Sequence, residues 1–80
     1  MKKRFVVTYA SCINNELYME TIGVYPSKEK AWETIKEEIA ACENGGDEVN
    51  NINNWDLKNF YNYAMYEDET WAMQYLITEV

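Results

Sequence analysis

The sequence predicts an α+β fold: a small antiparallel sheet with one helix packed on one face, the elements running ββαββ. Three observations predict it. Two runs rich in Val, Ile, Thr and Tyr flank an Asn-Asn pair, a three-to-four apolar spacing follows the single proline, and aromatic stretches fill the last third. The alternative order ββααβ applies if residues 55–66 are helical.

The first run covers residues 4–12 and the second residues 16–25. Asn tolerates positive φ, so Asn14-Asn15 suits a two-residue primed turn that sets Ile13 opposite Glu16. Partner numbers then sum to 29, which places Phe5 opposite Val24, Val7 opposite Ile22 and Tyr9 opposite Glu20 on the expected core face. On the other face Val6 meets Gly23, Thr8 meets Thr21 and Ala10 meets Met19. Pro26 ends the strand, Ser27 offers an N-cap hydroxyl, and Glu29 brings negative charge to the first helical turn. Ala31, Trp32, Ile35, Ile39 and Cys42 form the inward stripe. Glu29, Lys30, Glu33, Lys36 and Glu37 point outward, and Gly45-Gly46 supplies a C-terminal stop. Residues 47–54 are mostly polar turn formers and read as a surface loop.

The last third admits two readings. Leu57, Phe60, Tyr61, Ala64 and Met65 fit a helix capped at Asn54, while residues 60–66 and 70–80 fit two strands closed by Glu67-Asp68-Glu69. Register arithmetic favours the hairpin. With Asp68 and Glu69 central, Tyr66 faces Trp71, Ala64 faces Met73 and Phe60 faces Ile77, all on one apolar side. Asp-Glu is a poor primed turn, so a longer loop with a slipped register also fits.

One helix covers one side of such a sheet. The opposite side collects Val6, Met19, Tyr25, Tyr61, Tyr63, Met65 and Leu76, an apolar, Tyr- and Met-rich surface suited to a protein partner or to self-association. Shielding by the loop of residues 47–54 is the alternative, since antiparallel sheets commonly leave one face in water.

The 80 residues are expected to form one domain, residues 1–80, and 48% apolar content with 15% aromatics suffices for a compact core. At about 0.05–0.15 kcal/mol per residue its stability is about 4–12 kcal/mol, so a deep enclosed active site is not expected. The formal charge is −7 and is unevenly placed: residues 1–36 carry six basic and four acidic groups, residues 37–80 ten acidic groups and only Lys58. This argues against direct nucleic-acid binding and against an anionic membrane surface. It favours a basic protein partner, or serves solubility alone. Lys2, Lys3 and Arg4 are followed by too short an apolar run for a secretory signal, no stretch spans a membrane, and Cys12 and Cys42 form neither a disulfide framework nor a zinc set. The expected compartment is a reducing cytoplasm, with a single disulfide left open.

No catalytic, metal or cofactor residue is identified. Without histidine the commonest general base is missing, and Glu16 near Cys12 disfavours a thiolate. Residues 47–58 have Val49, Ile52 and Lys58 where a calcium loop needs a ligand, a glycine and a bidentate carboxylate. Gly45-Gly46 lacks the context of a phosphate-binding loop. Trp32, Trp55 and Trp71 have no basic groove in which to stack on bases and read as core or interface residues. A non-enzymatic role follows.

In length, acidity and lack of catalytic residues the chain resembles small phage or mobile-element accessory proteins, including anti-CRISPR and other anti-defence inhibitors. The resemblance implies a bacterial or phage cytoplasm and a nucleic-acid-processing enzyme as target, its basic groove occupied by carboxylates that mimic phosphates. Glu37, Glu38, Glu43, Asp47, Glu48, Glu67, Asp68 and Glu69 are the candidate contacts. The competing expectation is a structural or assembly protein, a homodimer joined through Tyr61, Tyr63, Met65 and Leu76.

Overall fold

A computed structural model describes residues 3–41, 49–58, 62–67 and 71–80. β1 (Phe5–Ile13) and β2 (Glu16–Tyr25) form the first hairpin. Asn14 and Asn15 have φ of 53° and 68°, the left-handed values of a type I′ turn, and Ile13 pairs with Glu16. The expected partners hold from there to the Thr8–Thr21 pair. Between Val7 and Thr8 the register shifts by one, so that Val7 pairs with Gly23, Val6 with Val24 and Phe5 with Tyr25.

This bulge leaves Ile22 as the extra residue and exchanges the two faces beyond it. Val24, expected in the core, is exposed, and Tyr25, expected on the open face, packs against the core. Gly23 leaves room for the Tyr25 ring in this register. A Cβ there would stand 2.7 Å from the Tyr25 hydroxyl, so the ring folds back over space that a larger residue would fill.

α1 (Lys28–Ala40) begins where the sequence demands it. Ser27 is extended and its hydroxyl oxygen accepts the Lys30 N–H at 3.1 Å. Ala31, Ile35 and Ile39 are buried against the sheet. The helix stops at Ala40, short of the expected Cys42, and its cap Ala41 has φ −93° rather than the left-handed value of a glycine stop. Cys42, Gly45 and Gly46 lie outside the described residues. The Asn50 amide donates to the Ala40 carbonyl at 2.7 Å, satisfying one acceptor at the helix end.

Residues 49–54 are not a plain surface loop. Val49 is buried, a 3₁₀ turn occupies Ile52–Asn54, and the buried Trp55 donates its indole N–H to the Val49 carbonyl at 2.7 Å. The polar Asn residues hold this turn instead of marking an open loop: the Asn51 side chain accepts the Asn53 N–H at 3.0 Å.

β3 (Asp56–Lys58) follows, then β4 (Tyr63–Glu67) and β5 (Trp71–Glu79). The chain is therefore ββαβββ rather than ββαββ or ββααβ, and residues 56–58 and 63–66 are strand, not helix. Among the described residues the sheet has five strands, ordered β2-β1-β5-β4-β3, with every neighbouring pair antiparallel. In β4 and β5, Ala64 pairs with Tyr75 and Tyr66 with Met73, two residues from the tight-turn register. An even slip keeps each side chain on its expected face, because side chains alternate with period two. Phe60 lies outside the described residues; Ile77, its expected partner, donates its N–H to the Asn62 carbonyl at 2.8 Å.

The core lies between α1 and one sheet face, where Val7, Ile35, Ile39 and Ala64 are buried. An aromatic row crosses this face from Tyr18 through Tyr9 and Tyr75 to Trp55 and Tyr66, with ring centroids 4.9 to 6.2 Å apart. α1 starts just after Tyr25, at the end of β2 far from the turn. Its last residue contacts the Val49–Trp55 segment, which sits on Tyr66 of β4 and Tyr75 of β5. The helix thus crosses the sheet away from β2, and residues 16–21 are exposed on both faces.

Candidate protein-binding surface

The open face is built from cross-strand rows. One row runs Leu17, Cys12, Ala72, Glu67; the next Met19, Ala10, Gln74, Met65, Asp56; the third Thr21, Thr8, Leu76, Tyr63, Lys58. Charged residues in these rows stand only on β4 and β3, so the β2, β1 and β5 positions form an uncharged field. Small residues in the middle and long ones beside them give a shallow apolar depression of about 220 Å³, floored by Ala10, Cys12 and Ala72 and walled by Leu17, Met19 and Met65. Leu17 is 83% and Met19 77% exposed, a large solvent exposure for side chains of this size.

On the helix side of the same hairpin stand Glu16, Tyr18 and Glu20, the two carboxylates being the only charges in β1 and β2. The Tyr18 hydroxyl donates to Glu20 Oε2 at 2.6 Å. That hydrogen bond, reinforced by the carboxylate charge, holds the Tyr18 phenol above its ordinary pKa. Basic residues gather elsewhere. Lys3 and Arg4 precede β1 at the far end, where Lys3 pairs with Glu79 at 3.6 Å, and Lys58 pairs with Asp56 at 3.2 Å.

The residues singled out from the sequence divide between the two faces. Tyr63, Met65 and Leu76 share the open face with Glu67, which is exposed at the end of β4 opposite Ala72. Glu37 and Glu38 are exposed on α1, across the sheet from that group. Glu43, Asp47, Glu48, Tyr61, Asp68 and Glu69 lie outside the described residues.

Sequence reasoning missed Leu17, Cys12, Ala72, Glu16 and Glu20. The signal for Leu17 was present, since the primed turn that pairs Ala10 with Met19 also pairs Cys12 with Leu17. Cys12 is a half-buried free thiol in this surface. Among the described residues no three Cys, Asp or Glu side chains group as a cation site would need, and no helix is long and apolar enough to cross a membrane. Compared with known protein families, curated proteins and solved structures, the chain matches none of them.

Proposed function

We propose that this chain is a non-catalytic binding protein whose partner is a protein with a basic surface. The observation that carries the reading is the β1–β2 hairpin: bare on both sides over residues 16–21, charged only by Glu16 and Glu20, and continuous with the uncharged depression. An apolar centre beside one sign of charge suits an interface that excludes water centrally and steers encounter from its rim. The finer reading is a phage-type inhibitor that occupies the nucleic-acid groove of a host defence enzyme by charge mimicry, with Glu67 and its sequence neighbours Asp68 and Glu69 among the candidate contacts. It rests on the charge of −7 and its segregation.

The test is capture from bacterial lysate by the protein and by a variant with Glu67, Asp68 and Glu69 changed to Lys. Recovery of a basic nucleic-acid enzyme at low salt, lost in about 0.5 M salt and lost with the variant, is expected. Equal recovery by the variant removes that acidic segment from the interface.

The uncharged β2, β1 and β5 positions of the open face favour a second reading, a homodimer joined face to face. Light scattering decides it: a dimer mass that Tyr63→Asp halves is expected from that reading, and a monomer mass for the unaltered protein refutes it.

A further inference from the structure

The outer edge of β2 is a second feature of the hairpin, distinct from its faces. Among the described residues β2 pairs with β1 alone and lies at the sheet margin. The pair that closes a two-residue primed turn exchanges both backbone hydrogen bonds, and bonded and non-bonded pairs alternate from there. Glu16, Tyr18 and Glu20 therefore direct their backbone groups toward β1, while the N–H and C=O groups of Leu17, Met19 and Thr21 point outward.

Edges of this kind are normally blunted by Lys, by Pro, by bulges or by shortness. The other edge, β3, has three residues, one of them Lys58. Residues 16–21 have none of these devices: their sequence holds neither Lys nor Pro, and the bulge and Pro26 both lie beyond Thr21. What guards this edge is charge. A second copy paired antiparallel about Tyr18 would set Glu16 opposite Glu20 twice, and like charges directly opposite repel.

We infer that this edge accepts an extended strand of the partner protein, with Lys or Arg opposite Glu16 and Glu20 and apolar residues on the open-face side. The inference rests on the basic-partner reading above and adds to it the mode of attachment. Side chains on one face of a strand recur every second residue, so the two basic positions stand four residues apart with apolar residues between them. The apolar residues extend the wall made by Leu17 and Met19, the basic ones meet carboxylates, and the backbone supplies the hydrogen bonds. The Tyr18 hydroxyl occupies Glu20 Oε2 and leaves Oε1 for the incoming cation.

The probe is a capped peptide, Lys-Val-Thr-Val-Lys-Val-Thr, added to the full isotope-labelled chain at low salt while amide exchange is followed by NMR. The exchange of Leu17, Met19 and Thr21 is expected to slow by about tenfold. The same peptide N-methylated at its Val residues keeps its charge, loses the donors that would face β2, and is expected to give no such slowing. Met19→Pro provides a second arm, since it removes an outward N–H and leaves the β1 ladder intact; a folded variant is expected to lose the peptide. Equal protection with the N-methylated peptide, or undiminished binding by Met19→Pro, overturns strand docking and leaves the basic-partner reading standing. Binding of neither peptide, together with no basic protein captured from lysate, overturns both. Capture without peptide binding overturns strand docking alone.

Discussion

Glu20 and Tyr18 show how much one pair of exposed side chains does at the hairpin. The phenol donates to the carboxylate, and deprotonation would set two negative oxygens at 2.6 Å. Its pKa is therefore raised by the hydrogen bond first and by the Glu20 charge second. A group raised on folding stabilises the fold fully below its unfolded value, about 10 for tyrosine, and that contribution is lost as pH rises through the folded value. Ultraviolet titration is expected to show a late-titrating tyrosine that Glu20→Gln returns toward the ordinary range; an unchanged curve would break the assignment. In the core, Ile35 is fully buried between α1 and the sheet. Ile35→Ala is expected to cost about 2–5 kcal/mol in urea denaturation, a large share of what a chain this size holds. A cost below about 1 kcal/mol would mean that the surroundings collapse into the space.

Among the elements, those fixed by local chemistry were legible. The Asn14-Asn15 turn and the Ser27 cap need only their own side chains, and both stand where the sequence puts them. Ser27→Ala is expected to lower stability by about 1 kcal/mol, read from the denaturation midpoint, with little change from Ser27→Asp, which keeps an acceptor. Elements that depend on distant partners were not legible. β3 has three residues and is held as a strand by pairing with β4, Leu57 opposite Ala64, and Val49 is buried in the core beside Trp55, whose indole bonds its carbonyl. The bulge at Ile22 was hidden for a related reason. Unbroken alternation would have served Val7 and Ile22 equally well, and the shifted register brings Tyr25 over Gly23, a contact between residues that local alternation does not foretell. At the candidate surface the same division applies: Met65, Tyr63, Leu76 and Leu17 follow from alternation and register, whereas the exposure of Glu16 and Glu20 on the helix side depends on the path of α1.

For the whole molecule, length and charge set the terms. The chain measures 43 × 24 × 21 Å and carries a charge of −7, so self-repulsion opposes compaction. Raising salt from about 0.02 M to about 0.5 M is expected to raise the melting temperature by about 2–4 °C as that repulsion is screened. A fall would mean that favourable ion pairs outweigh it. By itself the sequence determined the acidity, the lack of histidine, the first turn, the start of the helix and the alternation that sorts side chains between two faces, because each depends on composition or on neighbours within a few residues. The tertiary structure alone decided the strand order, the shifted register beyond Val7, the fifth strand and the bare hairpin. Those outcomes depend on which surfaces meet across the sheet. One helix, anchored near Tyr25 at its start and beside Val49 at its end, cannot also cover residues 16–21.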